Sequence, residues 1–408
     1  MPPLSASAIA AERRDAIEPA RATPGPAPIR IRLLLLTDTS IAFSGGSERF
    51  LRNLVALLPR DRYDITLVQL DAGHHPDAGR HLPSDTAHAT VHGLPVDAIY
   101  GRGGWRALRA LREMILRERY DIVQSHHEKS DLLNALLPRT PGCVRISNRR
   151  DMGYKKSAKL KWLFRFLNRR FDSVIAPAQP ILGELARSEA LDPARMLWIP
   201  NGVDTQRFRP WQGPARSAAR QALGLDEHAT AYGCIARMTP EKCHADLIAG
   251  FAGVHARVPQ ARLFLIGNGP LRADVEAQIS ALGLADAVTL LGMRPDIESV
   301  LPALDVGLLT SSTEGMSNAI LEMMACGLPV IATAVGGNLS LVQPDITGLL
   351  VPARQPDALA EAMTRLALSP DLRRRLGAAG RARIEREFSL VAMVQSFDQA
   401  YQQLLRST

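Results

Sequence analysis

The sequence predicts an α/β protein made of two doubly wound parallel-sheet units in tandem, facing each other across a cleft. Three observations predict it. Short, almost continuous apolar runs alternate with segments of helical periodicity, as expected of parallel strands covered on both faces. The alternation stops near residues 200–214 and then starts again. At 408 residues the chain also exceeds the roughly 100–200 residues of an ordinary domain.

Residues 1–29 are rich in Ala and Pro, carry Arg13, Arg14 and Asp15, and lack the apolar stretch of a signal peptide, so they are expected to be a disordered tail. The first unit spans 30–208. Residues 31–37 form an apolar strand, a Gly-rich loop follows, and Phe50, Leu51, Leu54 and Leu58 mark one face of a helix. Strands are expected at 65–70, 122–124 and 173–176, and a helix at 105–117. Pro200-Asn201-Gly202-Val203-Asp204 opens a Pro- and Arg-rich linker without periodicity. The second unit, 209–387, offers strands at 231–236, 262–266, 287–291, 306–309 and 329–333, and a helix closes the chain over 388–408.

Hydrophobic residues at 46% and charged residues at 22% exclude a disordered chain. No run approaches the roughly 18 apolar residues of a membrane span, so membrane contact would be peripheral. A net charge of +8 fits an anionic partner, whether nucleic acid, acidic membrane or phosphorylated small molecule, without choosing among them. Cys143, Cys234, Cys243 and Cys326 show no C-x-x-C spacing and read as reduced thiols of a cytoplasmic protein. His74, His75, His81, His88 and His92 lack metal-ligand periodicity and read as loop residues.

Doubly wound units bind ligands beyond the carboxyl ends of their strands, which directs attention to the loops after each strand. In 310–341, Glu314 follows a strand, and Ser317 or Asn318 can cap the next helix, placing Glu322 about one turn inside it. The free N–H groups of such a helix start favour a phosphate. A carboxylate inside the helix can hold both hydroxyls of a ribose, and one in the loop a sugar hydroxyl. Arg237 and Lys242 follow another strand, and a turn at Pro240 would let both reach one diphosphate. Gly45-Gly46-Ser47-Glu48 lets backbone approach a ligand closely. Asp121-Ile122-Val123-Gln124-Ser125-His126-His127 ends a strand with two histidines on opposite sides, so that one can face the cleft. There is no Asp-x-Asp or H-E-x-x-H motif, no G-x-G-x-x-G and no G-x-x-x-x-G-K-[ST].

The stretch TSSTEGMSNAILEMMACGLPVIATAVGGNLSL resembles the signature of the family 4 retaining glycosyltransferases, which have the GT-B fold of two Rossmann-like domains. It carries the Glu314/Glu322 pair, Gly327, Pro329, Val330 and the Gly336-Gly337 turn. The resemblance implies that Glu322 holds the nucleotide ribose and Glu314 the transferred sugar. Gly315, Met316, Ser317 and Asn318 would offer backbone N–H groups to sugar and phosphate. Arg237 and Lys242 would neutralise the leaving diphosphate, Gly45 and Gly46 would line the cleft, and His126 would serve catalysis and sugar contact. Met293 or Arg294 would touch the base, and the last helix would cross back to the first domain.

The activity so implied is transfer of a sugar from a nucleotide diphosphate sugar to a glycan or lipid-linked acceptor, in polysaccharide or glycolipid biosynthesis, with retention and without a metal or other cofactor. Gln124 stands where the family has a first histidine, Met316-Ser317-Asn318 replaces the commoner Phe-Pro, and Ser340 replaces a frequent Glu. Ser340 is the best motive for the alternative, a catalytically inactive nucleotide-sugar-binding homologue. An epimerase would need acids placed to abstract a sugar proton. Nucleic-acid binding has net charge alone in its favour, with no recognisable module.

The stretch 145–170 carries Arg149, Arg150, Lys155, Lys156, Lys159, Lys161, Arg165 and Arg169 among Trp162, Leu163 and Phe166, with Asp151 its only acid. It reads as a basic amphipathic helix, either lying on the inner face of an anionic membrane or packed on the sheet with a solvated basic face.

Overall fold

The run Leu33-Leu34-Leu35-Leu36 has no exposed surface and divides by parity, Leu33 and Leu35 joining one core and Leu34 and Leu36 another. Successive strand residues point to opposite faces, so this sheet is covered on both. The computed structural model of the chain describes residues 30–41, 45–70, 88–96, 98–150 and 156–407. The 1–29 segment and His74, His75 and His81 lie outside them.

The first sheet comprises β1 (Ile31–Thr37), β2 (Tyr63–Gln69), β3 (Thr90–Gly93), β4 (Ile122–His126), β5 (Val144–Asn148), β6 (Ser173–Ala176) and β7 (Met196–Trp198), in the order β3-β2-β1-β4-β5-β6-β7. The second comprises β8 (Thr230–Ile235), β9 (Ala261–Ile266), β10 (Val288–Gly292), β11 (Val306–Leu309), β12 (Val330–Thr333) and β13 (Gly348–Val351), in the order β10-β9-β8-β11-β12-β13. Neighbouring strands are parallel in both sheets. Strand order reverses between β1 and β4 and between β8 and β11, and such reversals open a crevice at the carboxyl ends of the strands. Glu314, Arg237, His126 and Gly45 all follow or end these four strands.

Strands β3, β5, β7 and β13 are additions to the sequence reading. β3 is an edge strand with exposed residues, and β7 has three residues. β5 reads as polar because of Arg145, Ser147 and Asn148, yet every residue in it is buried. Arg145 is tolerated there because its guanidinium donates to the carbonyl oxygens of Asn134 and Pro138.

This corrects the expectation for 145–170. Residues 145–148 are strand, the helix covers only Ala158–Leu167, and Arg145 and Arg149 are buried beneath the surface instead of lying on a solvated face. Arg149 pairs with Asp131 at 2.8 Å and Glu189 at 3.3 Å, and Lys156 with Glu189 at 2.6 Å. Both cations also lie 4.2 Å from the Phe164 ring centre.

The chain crosses between the units twice, side by side. Val203 N–H donates to Phe388 O at 2.9 Å, and Leu390 N–H to Val203 O at 3.0 Å. A Cβ on Gly202 would stand 2.8 Å from the Leu390 Cα, so glycine permits this approach. The Leu390–Arg406 helix then buries Met393, Val394, Phe397 and Tyr401 in the first sheet's core. No helix among the described residues is long and apolar enough to cross a membrane.

Candidate active site

On the second unit's side, β11 leads into a loop containing Glu314 and then into the Asn318–Ala325 helix, capped by Ser317, whose Oγ accepts from Ile320 N–H at 3.3 Å. Asn318, the other cap considered, is the first helical residue. Glu314 and Glu322 are both buried. Lys242 ends a short turn, Pro240–Lys242, beyond β8, and its Nζ lies 2.5 Å from Glu314 Oε1. Ser311 Oγ donates to the same oxygen at 2.6 Å. The Gly-Gly turn holds this loop: Gly337 N–H donates to Glu314 O at 3.2 Å, and a Cβ on Gly336 or Gly337 would collide with the Glu314 or Gly315 carbonyl. Arg237, just past β8, is exposed.

Glu322 is met from the other unit. Arg49, in the Gly46–Leu57 helix, places Nη1 2.6 Å from its Oε1. Burial raises the Glu322 pKa, and Arg49 opposes that rise. A cavity of about 360 Å³ beside the pair is lined by Gly46, Arg49, Asn201, Arg207, Asn318 and Glu322. Gly45 and Gly46 are exposed, and a Cβ on Gly46 would come 3.1 Å from Asn318 Nδ2, so the two rims touch here.

On the first unit's side, His126 closes β4 and is buried, whereas His127 turns the chain with φ of 78°. Burial holds the His126 pKa well below the ordinary histidine value, and the charges of His127 and Arg150 push the same way. The ring is therefore neutral at pH 7. Tyr401 OH donates to Gln124 Oε1 at 2.9 Å, which leaves the Gln124 amide to face His126 Nε2 at 3.0 Å. A neutral ring accepting at Nε2 carries its proton on Nδ1, and Nδ1 is buried without a partner. His126 can thus donate to a substrate oxygen.

Among the remaining sequence-derived residues, Gly315 approaches the first unit so closely that a Cβ would stand 2.9 Å from Arg150 O. The Met316 sulfur accepts from Asn201 N–H at 3.1 Å. Met293 and Arg294 follow the edge strand β10. Met293 is 76% exposed and Arg294 is held by Asp296 at 2.7 Å, and neither makes a described contact with Lys242 or Glu314. Sequence reasoning did not single out Arg49, Asn148 or Tyr401, and it read Arg150 as part of the basic stretch and Asn201 as part of the linker, without placing either at the cleft. The only sequence signal for Arg49 was its place directly after Gly-Gly-Ser-Glu. Among the described residues no group of three or more His, Cys, Asp or Glu could hold a metal ion.

Residues 44–207 match the family model "Glycosyltransferase Family 4" and residues 215–383 "Glycosyl transferases group 1", so that together the two cover most of the chain. The chain is 27% identical over 332 residues to the Escherichia coli UDP-Gal:alpha-D-GlcNAc-diphosphoundecaprenol alpha-1,3-galactosyltransferase, covering 79% of this chain and 84% of that one. It is also 27% identical over 388 residues to the D-inositol 3-phosphate glycosyltransferase of Segniliparus rotundus, covering 89% and 85%. Among solved structures, Anabaena Alr3699/HepE in complex with UDP superposes with a TM-score of 0.80 at 22% identity, over 91% of this chain and all of that one.

Proposed function

Because the chain belongs to the family 4 glycosyltransferases of GT-B fold, we propose that it moves a sugar from a nucleoside diphosphate donor, held by the second unit, to a glycan or lipid-linked acceptor presented by the first. The observation that carries this reading is the pair Glu314 and Glu322, one before and one inside the Asn318–Ala325 helix, with Lys242 against the first. Glu322 would take the ribose hydroxyls, Glu314 a sugar hydroxyl, and the helix start and the Gly315–Ser317 backbone the phosphates.

Breaking the bond between the anomeric carbon and the phosphate oxygen leaves negative charge on the departing diphosphate. Fixed cations and N–H dipoles stabilise that charge most in the transition state. Lys242, Arg237 and the helix start supply them, which supports transfer without a metal ion. His126 Nδ1–H would hold a sugar oxygen, and closing the cleft would favour transfer over hydrolysis. Retention of the anomeric configuration follows from the family reading and is read from the anomeric proton coupling of the product by NMR. No feature of the geometry favours an inactive homologue, since Arg237, Lys242, Glu314, Glu322 and His126 are all present.

A lipid-linked acceptor is supported by the E. coli relative, whose substrate is named as diphosphoundecaprenol-linked. A peripheral membrane contact would fall to the Ala158–Leu167 helix, where Trp162 is 61% and Phe166 49% exposed, beside exposed Lys159, Arg165 and Arg169. Cosedimentation with anionic vesicles at low salt tests it, and absence of binding there would remove the membrane from the reading.

The donor site is tested by calorimetry against UDP-, GDP-, ADP- and CMP-sugars with EDTA present, on the unaltered chain and on Glu322→Ala. Saturable binding of one nucleotide class is expected, about ten- to a hundredfold weaker in the variant, as for loss of a charge-assisted contact. Absence of binding to all of them would overturn the transferase reading.

A further inference from the structure

Arg149 and Arg150 are neighbours in sequence with opposite surroundings. Arg149 is enclosed by Asp131 and Glu189. Arg150, just past the end of β5, has no described carboxylate within ion-pair distance, and Glu48 acts on it only through space. Its guanidinium lies 3.8 Å from the Phe50 ring centre, and Nη2 donates to Asn201 Oδ1 at 2.6 Å. Asn201 in turn donates to Asn318 Oδ1 at 2.9 Å, at the start of the second unit's helix. The guanidinium is thus fixed in direction between the two units.

The polar groups around it are also incomplete. His126 and Asn148 are register partners on β4 and β5, and Phe50, under the guanidinium, has its ring centre 6.0 Å from that of His126. His126 Nδ1 and both side-chain polar atoms of Asn148 are buried without partners. Arg150 is half-buried, and holding a cation partly out of water without a counter-charge is costly, while unmatched buried polar atoms are rare in folded proteins. Burial lowers the Arg150 pKa to about 9, so the group remains charged at pH 7. A fixed cation beside two unmatched donors, His126 Nδ1–H and the Asn148 amide N–H, is what an anionic oxygen requires, while the unmatched Asn148 Oδ1 would take a substrate hydroxyl.

We propose that Arg150 binds a phosphate oxygen of a substrate in the filled cleft, beside His126 and Asn148. This deepens the transferase reading and rests on it. The phosphate can come from the donor's diphosphate, which arrives from the Asn318 side, or from a phosphorylated acceptor on the first unit's side. The shared chemistry is a phosphate ester or anhydride taken by one guanidinium.

The test uses the full chain, Arg150→Met and Arg150→Lys, with calorimetry against two pairs of probes. The first pair is UDP, GDP or ADP, whichever the unaltered chain binds most tightly, beside its own nucleoside. The second is an alkyl-diphosphate-linked N-acetylglucosamine beside free N-acetylglucosamine. Arg150→Met is expected to weaken binding of one phosphorylated probe by about ten- to a hundredfold and to leave its phosphate-free partner unchanged. Arg150→Lys, which keeps the charge without the fork, should recover part of the loss. A loss confined to the nucleoside diphosphate assigns the donor as source, and one confined to the alkyl diphosphate assigns the acceptor.

Affinities of Arg150→Met for both phosphorylated probes unchanged from those of the unaltered chain would overturn the proposal and leave the donor site intact. An equal loss for phosphorylated and phosphate-free probes would make Arg150 a support of the fold alone. If the unaltered chain binds none of the probes, the transferase reading itself fails and the proposal with it.

Discussion

On the second unit's side of the cleft, Glu314 sits against Lys242 and Glu322 against Arg49, whereas on the first unit's side Arg150 meets no described carboxylate and His126 and Asn148 keep atoms without partners. A sugar or ribose reaching the two acids must share them with, or displace, the cations that now hold them. A ligand reaching Arg150 would complete a site instead. The same contrast occurs one residue apart, because Arg149 lies inside an ion network that needs nothing from a substrate. Charge in this molecule is therefore closed where it supports the fold and open, or exchangeable, where the units face each other.

The largest expected effect comes from breaking the closed network. Arg149→Met leaves Asp131 buried beside an apolar side chain, and loss of one member of a buried pair costs about 3–5 kcal/mol. Urea unfolding should show that loss, and a midpoint within error of the unaltered chain would mean the network contributes nothing net. Lys242→Ala should lower turnover about a hundredfold or more with unchanged circular dichroism, in line with removal of one group that stabilises transition-state charge. Normal turnover would make the Lys242–Glu314 pair structural only.

A smaller effect belongs to pH. Burial holds His244 at about 4 in the folded chain, helped by the charge of Lys242, while a solvated histidine titrates near 6.5. Below pH 6.5 the unfolded chain binds more protons, so stability falls as the pH drops from about 6.5 toward 4. Between pH 7 and 5 this group accounts for about 2 kcal/mol. His244→Asn should flatten that part of the profile, and an unaltered slope would assign the acid sensitivity to other groups such as His126.

The smallest effect sharpens the comparison most directly. Although Glu322 is buried, Arg49 is partly exposed, so solvent on the Arg49 side holds the contribution of their pair to about 1 kcal/mol. Arg49→Ala should therefore free Glu322 and raise nucleotide affinity about threefold. A fall in affinity would show instead that Arg49 contacts the nucleotide and that both rims contribute to its binding.

Much of the fold was legible because parallel strands buried on both faces read as apolar runs. Strands at 31–37, 173–176 and 306–309 stand where the pattern put them. The four strands it missed are short edges or, in β5, a buried strand with polar letters whose guanidinium and hydroxyl groups find partners only after folding. The same masking led the 145–170 charges to be read as one surface helix, when Arg145 and Arg149 are interior.

The sequence by itself determined the two α/β units, their order and the loops that carry Glu314, Glu322, Lys242, Arg237 and His126, since each is a local consequence of periodicity, capping and position after a strand. Only the tertiary structure decided which charges meet: Arg49 with Glu322 across 273 residues of chain, Tyr401 with Gln124 across 277, and Arg150 with no carboxylate among the described residues. Such pairings depend on two units folding back against each other through adjacent crossings at Val203 and Leu390, and sequence distance holds no record of that approach.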